Sequence, residues 1–334
     1  MTRTVRWALG LLAAVAASLA WAQAGGVAAS GPRQFSLVFV GDVMLDDTPG
    51  RVIRSGRDPF AHVAHWLADG DVRVANLEAI VATTGQPVPG KPYTFRAHPR
   101  VLRPLARHVD AVGLANNHAG DYGPVALAET LRRLDAAGIR RFGAGHTLAE
   151  AHEPLIIERN GLRVALLAYN EFMPRSFEAD VDQPGIAWSE DEQVARDIAR
   201  ARAVHRADLV IPFMHWGWEH EPLAAPRQRA LARLMIEAGA DAVVGGHPHV
   251  TQDIEIHAGK PIVYSLGNFV FDGFTGEPQK TGWLLRLAQD AQGVRAWRTR
   301  VVRLDREGLP RPHPKASALC WTRGEARAVD CANH

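Results

Sequence analysis

The sequence predicts an α/β protein in which two mixed β-sheets are flanked by helices. Three observations point there. From Phe35 to Val244, short apolar runs ending in Gly, Asn or His alternate with segments of helical periodicity, the pattern of strands joined by crossover helices. Strand-like segments without intervening helices then follow from Thr251 to Arg303, enough for a second sheet packed on the first. Finally, a chain of 334 residues, 47% apolar and 22% charged, has ordinary globular composition and room for one large two-sheet domain, placed at residues 34–305.

The first residues differ from the rest. Arg3 and Arg6 precede an apolar stretch from Trp7 to Ala20, and Ala20-Trp21-Ala22 offers small residues for cleavage after Ala22. This is the three-part pattern of a secretory signal peptide over residues 1–22. The stretch is shorter than the ~20 apolar residues a membrane span needs. An exported protein, periplasmic or extracellular, is therefore expected, with residues 23–33 as a flexible leader.

The first strand is Phe35–Val40, a continuous apolar run stopped by Gly41-Asp42. A helix over Phe60–Leu67 and a strand over Val72–Ala75, ending at Asn76, come next. Gly85, Pro87, Pro89, Gly90 and Pro92 make residues 82–98 a loop. Pro99–Arg107 suits a helix with proline in its first turn. The strand Ala111–Leu114 runs into Asn116-Asn117-His118. In Pro124–Ala137 the residues Val125, Leu127, Ala128, Leu131 and Leu134 fall at helical spacing, and Gly138 ends the helix. Asn160-Gly161 predicts a tight hairpin between Leu155–Glu158 and Val164–Ala168. Residues 172–189 are irregular. The helices Glu192–Val204 and Arg227–Ala238 bracket a strand over Leu209–Met214, and Ala242–Val244 leads to Gly245-Gly246-His247. Strands at Thr251–Ile256, Ile262–Ser265, Trp283–Leu287 and Val294–Arg303 complete the domain.

Residues 306–334 form a Pro-rich, basic tail holding the two cysteines of the chain, Cys320 and Cys331. In an oxidising compartment they would close a small loop worth ~2–3 kcal/mol; the alternative is two free thiols. The net charge is +2, and the basic residues are scattered without interleaved aromatics, so no nucleic-acid partner is expected.

The chemistry sits in five polar clusters just after predicted strands: Gly41-Asp42, Asn76-Leu77-Glu78, Asn116-Asn117-His118 with Asp121, His215-Trp216-Gly217-Trp218-Glu219, and Gly246-His247-Pro248-His249. In open α/β sheets the carboxyl ends of strands are where ligands bind. Gly, Asn and Asp are ordinary turn residues, but three of the clusters carry histidine, which is not. Carboxylate, neutral imidazole and amide oxygen together suit a divalent ion such as Mn²⁺, Zn²⁺ or Fe²⁺, one or two per site. No cysteine takes part, which excludes a thiolate zinc site. His247-Pro248-His249 is the most specific pair, since two histidines one residue apart on an extended segment share a side. His118, oriented by Asp121, is a candidate general acid; Asp121 is also placed to cap the helix that follows. Lys91, in the loop after Glu78, and Asn76, Asn116, Trp216, Glu219 and Asn268 are candidate substrate contacts. Trp216 and Trp218 either line a pocket or pack as core.

Gly41-Asp42-Val43-Met44-Leu45, Asn76-Leu77-Glu78, Ala115-Asn116-Asn117-His118, His215-Trp216-Gly217, Gly246-His247-Pro248-His249 and Tyr264-Ser265-Leu266-Gly267-Asn268-Phe269 occur in that order. Together they resemble the CapA family of poly-gamma-glutamate capsule-synthesis proteins, over about residues 36–275, and an ordered six-block match is far more specific than any single block. The resemblance implies a metallophosphoesterase-like layered sandwich, with Asp42, Glu78, Asn117, His215, His247 and His249 as metal ligands, Glu78 as the shared carboxylate and His118 as the acid beside the leaving group. It further implies a cell-envelope or capsule polymer as substrate, and capsule-synthesis membrane proteins as partners. Two positions depart from the pattern. Met44 stands where calcineurin-like enzymes carry a histidine, and Asp46-Asp47 stand where CapA-type proteins commonly carry a basic residue. The acidic pair is a candidate source of extra ligands. Two functions fit this reading: a metal-dependent hydrolase acting on a phosphoester or a glutamyl amide, or a non-catalytic protein that binds, exports or retains the polymer.

Overall fold

Phe39 and Phe213 meet edge to face, ring centroids 5.5 Å apart, where the two large sheets of the protein face each other. The computed structural model describes residues Arg33 to Asn333. The expected signal segment 1–22, and all of the expected leader 23–33 except Arg33, lie outside the described residues. Among those residues, no helix is long and apolar enough to cross a membrane.

The first sheet is built on Gln34–Val43, whose apolar residues are buried on both faces. It runs parallel to Val72–Leu77, which runs parallel to Ala111–Gly113, and that strand to Arg140–Phe142. On its other side it pairs antiparallel with Thr281–Asp290, which pairs with Gly293–Leu304. The second sheet centres on Leu209–His215, parallel to both Leu162–Asn170 and Val243–Gly246, the latter parallel to Lys260–Val263. The hairpins Leu155–Arg159/Leu162–Asn170 and Ile254–His257/Lys260–Val263 close its edges. Helices Asp191–Ala203 and Pro226–Glu237 cover its outer face, packing Val194, Ile198, Leu231 and Met235 on Val210 and Met214. The expected α/β class, two mixed sheets flanked by helices, is what the chain forms. All the parallel strands present their carboxyl ends to one rim, which is what positions the site.

Several elements differ from expectation. Residues 60–67 are turns closing into one short helix, Ala64–Leu67. A helix over Asp47–Arg54 was not expected, because Pro49 and Gly50 interrupt its periodicity; its Val52 and Ile53 nevertheless reach the core. The loop 82–98 is tied at its base by the short pair Ile80–Val81 and Arg96–Ala97. The residues expected as a tail add strands to the first sheet: Pro310–Pro312 and Leu319–Thr322 pair with Gly293–Leu304, and Val329–Asp330 pairs with Leu319–Thr322. Cys320 and Cys331 are joined by a disulfide across that edge.

Glu129, on the helix Gly123–Ala136, holds the start of the 82–98 loop. Its carboxylate accepts the backbone N–H and hydroxyl of both Thr83 and Thr84 and pairs with Arg133. Burial alone would raise its pKa, but these donors pull it from 4.5 to about 2. A carboxyl depressed on folding contributes stability above its unfolded pKa and loses it as pH falls through the folded one. Glu129→Gln is therefore expected to cost roughly 2–3 kcal/mol at neutral pH. In denaturant unfolding, the gap to the parent protein should close as the pH drops from about 4.5 toward about 2. A gap independent of pH would show that the carboxylate charge is not what holds the loop.

Candidate metal centre

Asp42 lies one residue before the end of Gln34–Val43, and Glu78 directly follows Val72–Leu77. Asn117 and His118 follow Ala111–Gly113, His215 is the last residue of Leu209–His215, and His247 and His249 follow Val243–Gly246. Two sheets thus deliver all six expected ligands to one place. Asp42, Glu78 and His249 offer ligand atoms within 4.8 Å of one another. Beside them, His215 Nε2 lies 2.9 Å from Asn117 Oδ1 and 3.1 Å from His247 Nδ1. All six side chains are buried.

The Asn76 amide nitrogen is the hub of this arrangement. It lies 2.8 Å from Asp42 Oδ1, 3.2 Å from Glu78 Oε2 and 3.3 Å from His215 Nδ1. Asn116 fixes it in turn, donating to Asn76 Oδ1 and to the Leu77 carbonyl, both at 2.9 Å, while accepting the His118 N–H at 3.0 Å. The close approach of chain to carboxylate requires Gly246, where a Cβ would sit 2.7 Å from Asp42 Oδ1. His247, next in sequence, has φ +93° and donates its backbone N–H to Asp42 Oδ2. A bulky residue in that region is strained, as is common at functional sites.

The electrostatics fit a cation. Burial, then repulsion from Asp42 and Glu219, pushes Glu78 well above the usual carboxylate range. Burial also acts to raise Asp42, but the His249 hydrogen bond and charge and the Asn76 amide hold it below its ordinary value. Burial and the neighbouring histidines drive His215 and His247 well below theirs, so both rings are neutral, the state in which imidazole ligates metal. His249 is raised: burial opposes its charge, but Asp42 and Asn268 favour it. Glu78 Oε1 and His247 Nε2 have no hydrogen-bond partner. Buried polar atoms without partners are costly, and a divalent ion among oxygen and imidazole donors would satisfy them. The residues therefore fit the expected metal.

His118 stands at the edge of this group. Its Nδ1 is 2.7 Å from Asp121 Oδ2 and its Nε2 3.9 Å from Glu78 Oε1. Burial pulls its pKa down, against the carboxylate of Asp121. The Phe95 ring lies on its face at 4.4 Å, and the Phe172 ring lies on His247 at 3.9 Å. Sequence reasoning missed both phenylalanines, which sit in loops with no periodicity to announce them. Outside His118 and His249 opens a cavity of about 310 Å³, whose lining includes Tyr93, Phe95, Phe271, Phe274, Asp47, Glu219 and Asp272. Glu219 and the closely spaced Phe271 and Phe274 were the sequence signals of this wall.

Most of the expected substrate contacts are turned inward. Trp216 is fully buried and donates to the Tyr264 carbonyl, so it is core. Asn76 and Asn116 are occupied with the ligands, and Asn268 bonds His249 and the Gln279 carbonyl. Lys91 is the counter-ion of the buried Asp121, at 2.7 Å, because that carboxylate needs one. Glu219 alone of the six faces the cavity. Asp121 does not cap the next helix, which has Tyr122 at its N-cap and no side-chain cap bond; it accepts from Phe95 N instead. Asp46 accepts from Arg96 N and Asp47 lines the cavity, so neither joins the ligand clusters.

Fold and site define a two-sheet α/β protein with a candidate divalent-cation centre at the carboxyl ends of its strands. Residues 36–273 match the family described as bacterial capsule synthesis protein PGA_cap, and the chain belongs to that family. It is 32% identical over 252 residues to the capsule biosynthesis protein CapA of Bacillus anthracis, covering 72% of this chain and 60% of that one. To the PGA biosynthesis protein CapA of Bacillus subtilis it is 36% identical, covering 71% and 63%. The match thus spans about three-fifths of the length of these relatives. Among solved structures, it is similar to Haemophilus influenzae NAD nucleotidase (TM-score 0.43, 12% identity, 84% of this chain and 60% of that one). It is also similar to a Thermus thermophilus sulfate thiohydrolase (TM-score 0.47, 12% identity, 82% and 57%).

Asn116→Ala strips partners from Asn76, Leu77 and His118 at once. It is expected to cost roughly 2–4 kcal/mol in thermal unfolding and to weaken Mn²⁺ binding by about 10- to 100-fold. Unchanged affinity would show that the asparagine pair does not hold the ligands.

Proposed function

We propose that this protein is an exported, metal-dependent hydrolase of capsule or cell-envelope polymers, built on a metallophosphoesterase-like fold. The observation that carries this reading is the meeting of Asp42, Glu78, Asn117, His215, His247 and His249 around two unpartnered buried atoms, with His118 beside them. A divalent ion bound there would supply Lewis acidity and activated water. The chain's own residues do the rest. Asp121 holds His118 with Nδ1 toward its carboxylate, leaving Nε2 as the position that carries a proton to or from the reacting group. Lys91 pairs with Asp121 at 2.7 Å and helps fix that carboxylate in place. Phe95 and Phe172 cover His118 and His247 and limit water.

The cavity beside His118 and His249 is where a substrate would lie. Its lining combines Tyr93, Phe95, Phe271 and Phe274 with Asp47, Glu219, Asp272 and three histidines. The rings suit the carbon-rich body of a glutamyl chain end, while the carboxylates repel a glutamyl α-carboxylate and a phosphate alike, so a glutamyl amide and a phosphoester are both proposed substrates. Capsule-synthesis membrane proteins are the proposed partners. Export is supported by the signal-like pattern of residues 1–22 and by the Cys320–Cys331 disulfide, which suits an oxidising compartment.

A second reading has support from one residue. Met44 is a soft, buried thioether where a histidine would complete a metal half-site, which favours a protein that binds, exports or retains the polymer without cleaving it. Mature protein loaded with Mn²⁺, Zn²⁺ or Fe²⁺ should bind stoichiometric metal and turn over a glutamyl peptide or a phosphoester. His247→Ala should lose both metal and turnover, and His118→Ala should lower kcat by about 10²–10⁴ with metal retained. No stoichiometric metal, or turnover untouched by His247→Ala, contradicts the hydrolase. Polymer binding that survives chelation and ligand substitution supports the second reading.

A further inference from the structure

We infer that Glu219 is a further metal ligand, reaching the centre from the solvent side and supplying the coordination that residue 44 does not. This rests on the metal-site reading above.

Met44 has the place of a ligand but neither the chemistry nor the freedom for one. Its thioether suits soft metals rather than the hard or borderline ions this donor set takes. It is fully buried, and its sulfur already accepts the Asp46 N–H at 3.1 Å. The triad Asp42, Glu78 and His249 offers three protein ligands, and Met44 adds none. A second triad overlaps it: Glu219, His247 and His249 also hold ligand atoms within 4.8 Å of one another. His249 belongs to both. His247 is fully buried, with Nε2 unpartnered, so this group combines a bare imidazole nitrogen with a carboxylate from outside.

The backbone fixes Glu219 there. Trp216 is locked into the core through its bond to Tyr264. The chain then bends at Gly217, where φ is +83° and a Cβ would meet the Gln228 side chain at 2.6 Å. One residue past Glu219, the His220 N–H donates to the Pro248 carbonyl at 2.8 Å. Since Pro248 lies between His247 and His249, that bond fastens the Glu219 segment directly to the histidine turn. Met44, His118, Glu219 and His249 border one cavity, so a carboxylate on its rim and a side chain at position 44 address the same space.

Chelator-stripped full-length protein titrated with Mn²⁺, followed by calorimetry and by the electron paramagnetic resonance of the bound ion, tests this. Glu219→Gln is expected to fold normally, since the residue is exposed, and to weaken one Mn²⁺ site by roughly 10- to 100-fold with an altered spectrum. Met44→His in the Glu219→Gln background should restore the affinity. A neutral histidine cannot replace a purely electrostatic contribution of Glu219, so rescue identifies Glu219 as a ligand rather than a nearby charge. Parent-like stoichiometry, affinity and spectrum in Glu219→Gln, with His247→Ala deficient, overturn it too while leaving the metal centre standing. If the parent protein binds no Mn²⁺, both readings fall together.

Discussion

Two carboxylates, Asp42 and Glu78, are fully buried side by side beneath the ends of the strands, and the surrounding structure is organised to make that tolerable. Like charges in a low-dielectric interior repel strongly and cannot both stay ionised without compensation. The protein supplies part of it. Asn76 turns its amide toward both, His249 leans on Asp42, and the backbone of His247 donates to Asp42. Glu78 Oε1 still lacks a hydrogen-bond partner. A bound cation would supply it, and His215 and His247, held low by burial, are ready to ligate one.

The architecture follows from that need. Asp42, Glu78 and Asn117 come from the first sheet, and His215, His247 and His249 from the second, so the site exists only where the two sheets are in register. The Phe39–Phe213 contact is part of the core that sets this register. Around it, a chain of positioning runs outward: Glu129 pins Thr83 and Thr84, the loop they begin delivers Lys91 and Phe95, and these meet Asp121 and His118. The stability of a distant helix contact and the geometry of His118 are thereby linked.

Much of this was legible in the sequence because it follows from period and position. Apolar runs ending in Asp42, Asn76, His215 and Gly246 announced strand ends, and strand ends in such sheets share a rim. What was not legible depends on tertiary surroundings. Pro49 and Gly50 hid a helix that survives because Val52 and Ile53 find core. Prolines and charges in residues 306–334 suggested a tail, yet the edge of Gly293–Leu304 offered hydrogen bonds that drew those residues into strands. The polar residues nearest the ligands read as substrate contacts, since sequence cannot separate a side chain facing outward from one, such as Asn116 or Lys91, spent on holding a neighbour. Glu219 was recognised as part of the rim, but its distance from His247 and His249 emerges only when the Gly217 turn is folded against the Pro248 segment.

Anomalous diffraction from crystals of the protein grown with Mn²⁺ tests most directly whether the strand-end cluster binds a cation. A peak is expected among Asp42, Glu78 and His249, with or without a second toward Asn117, His215 and His247. Well-ordered crystals with manganese bound elsewhere, and none among these residues, would contradict it.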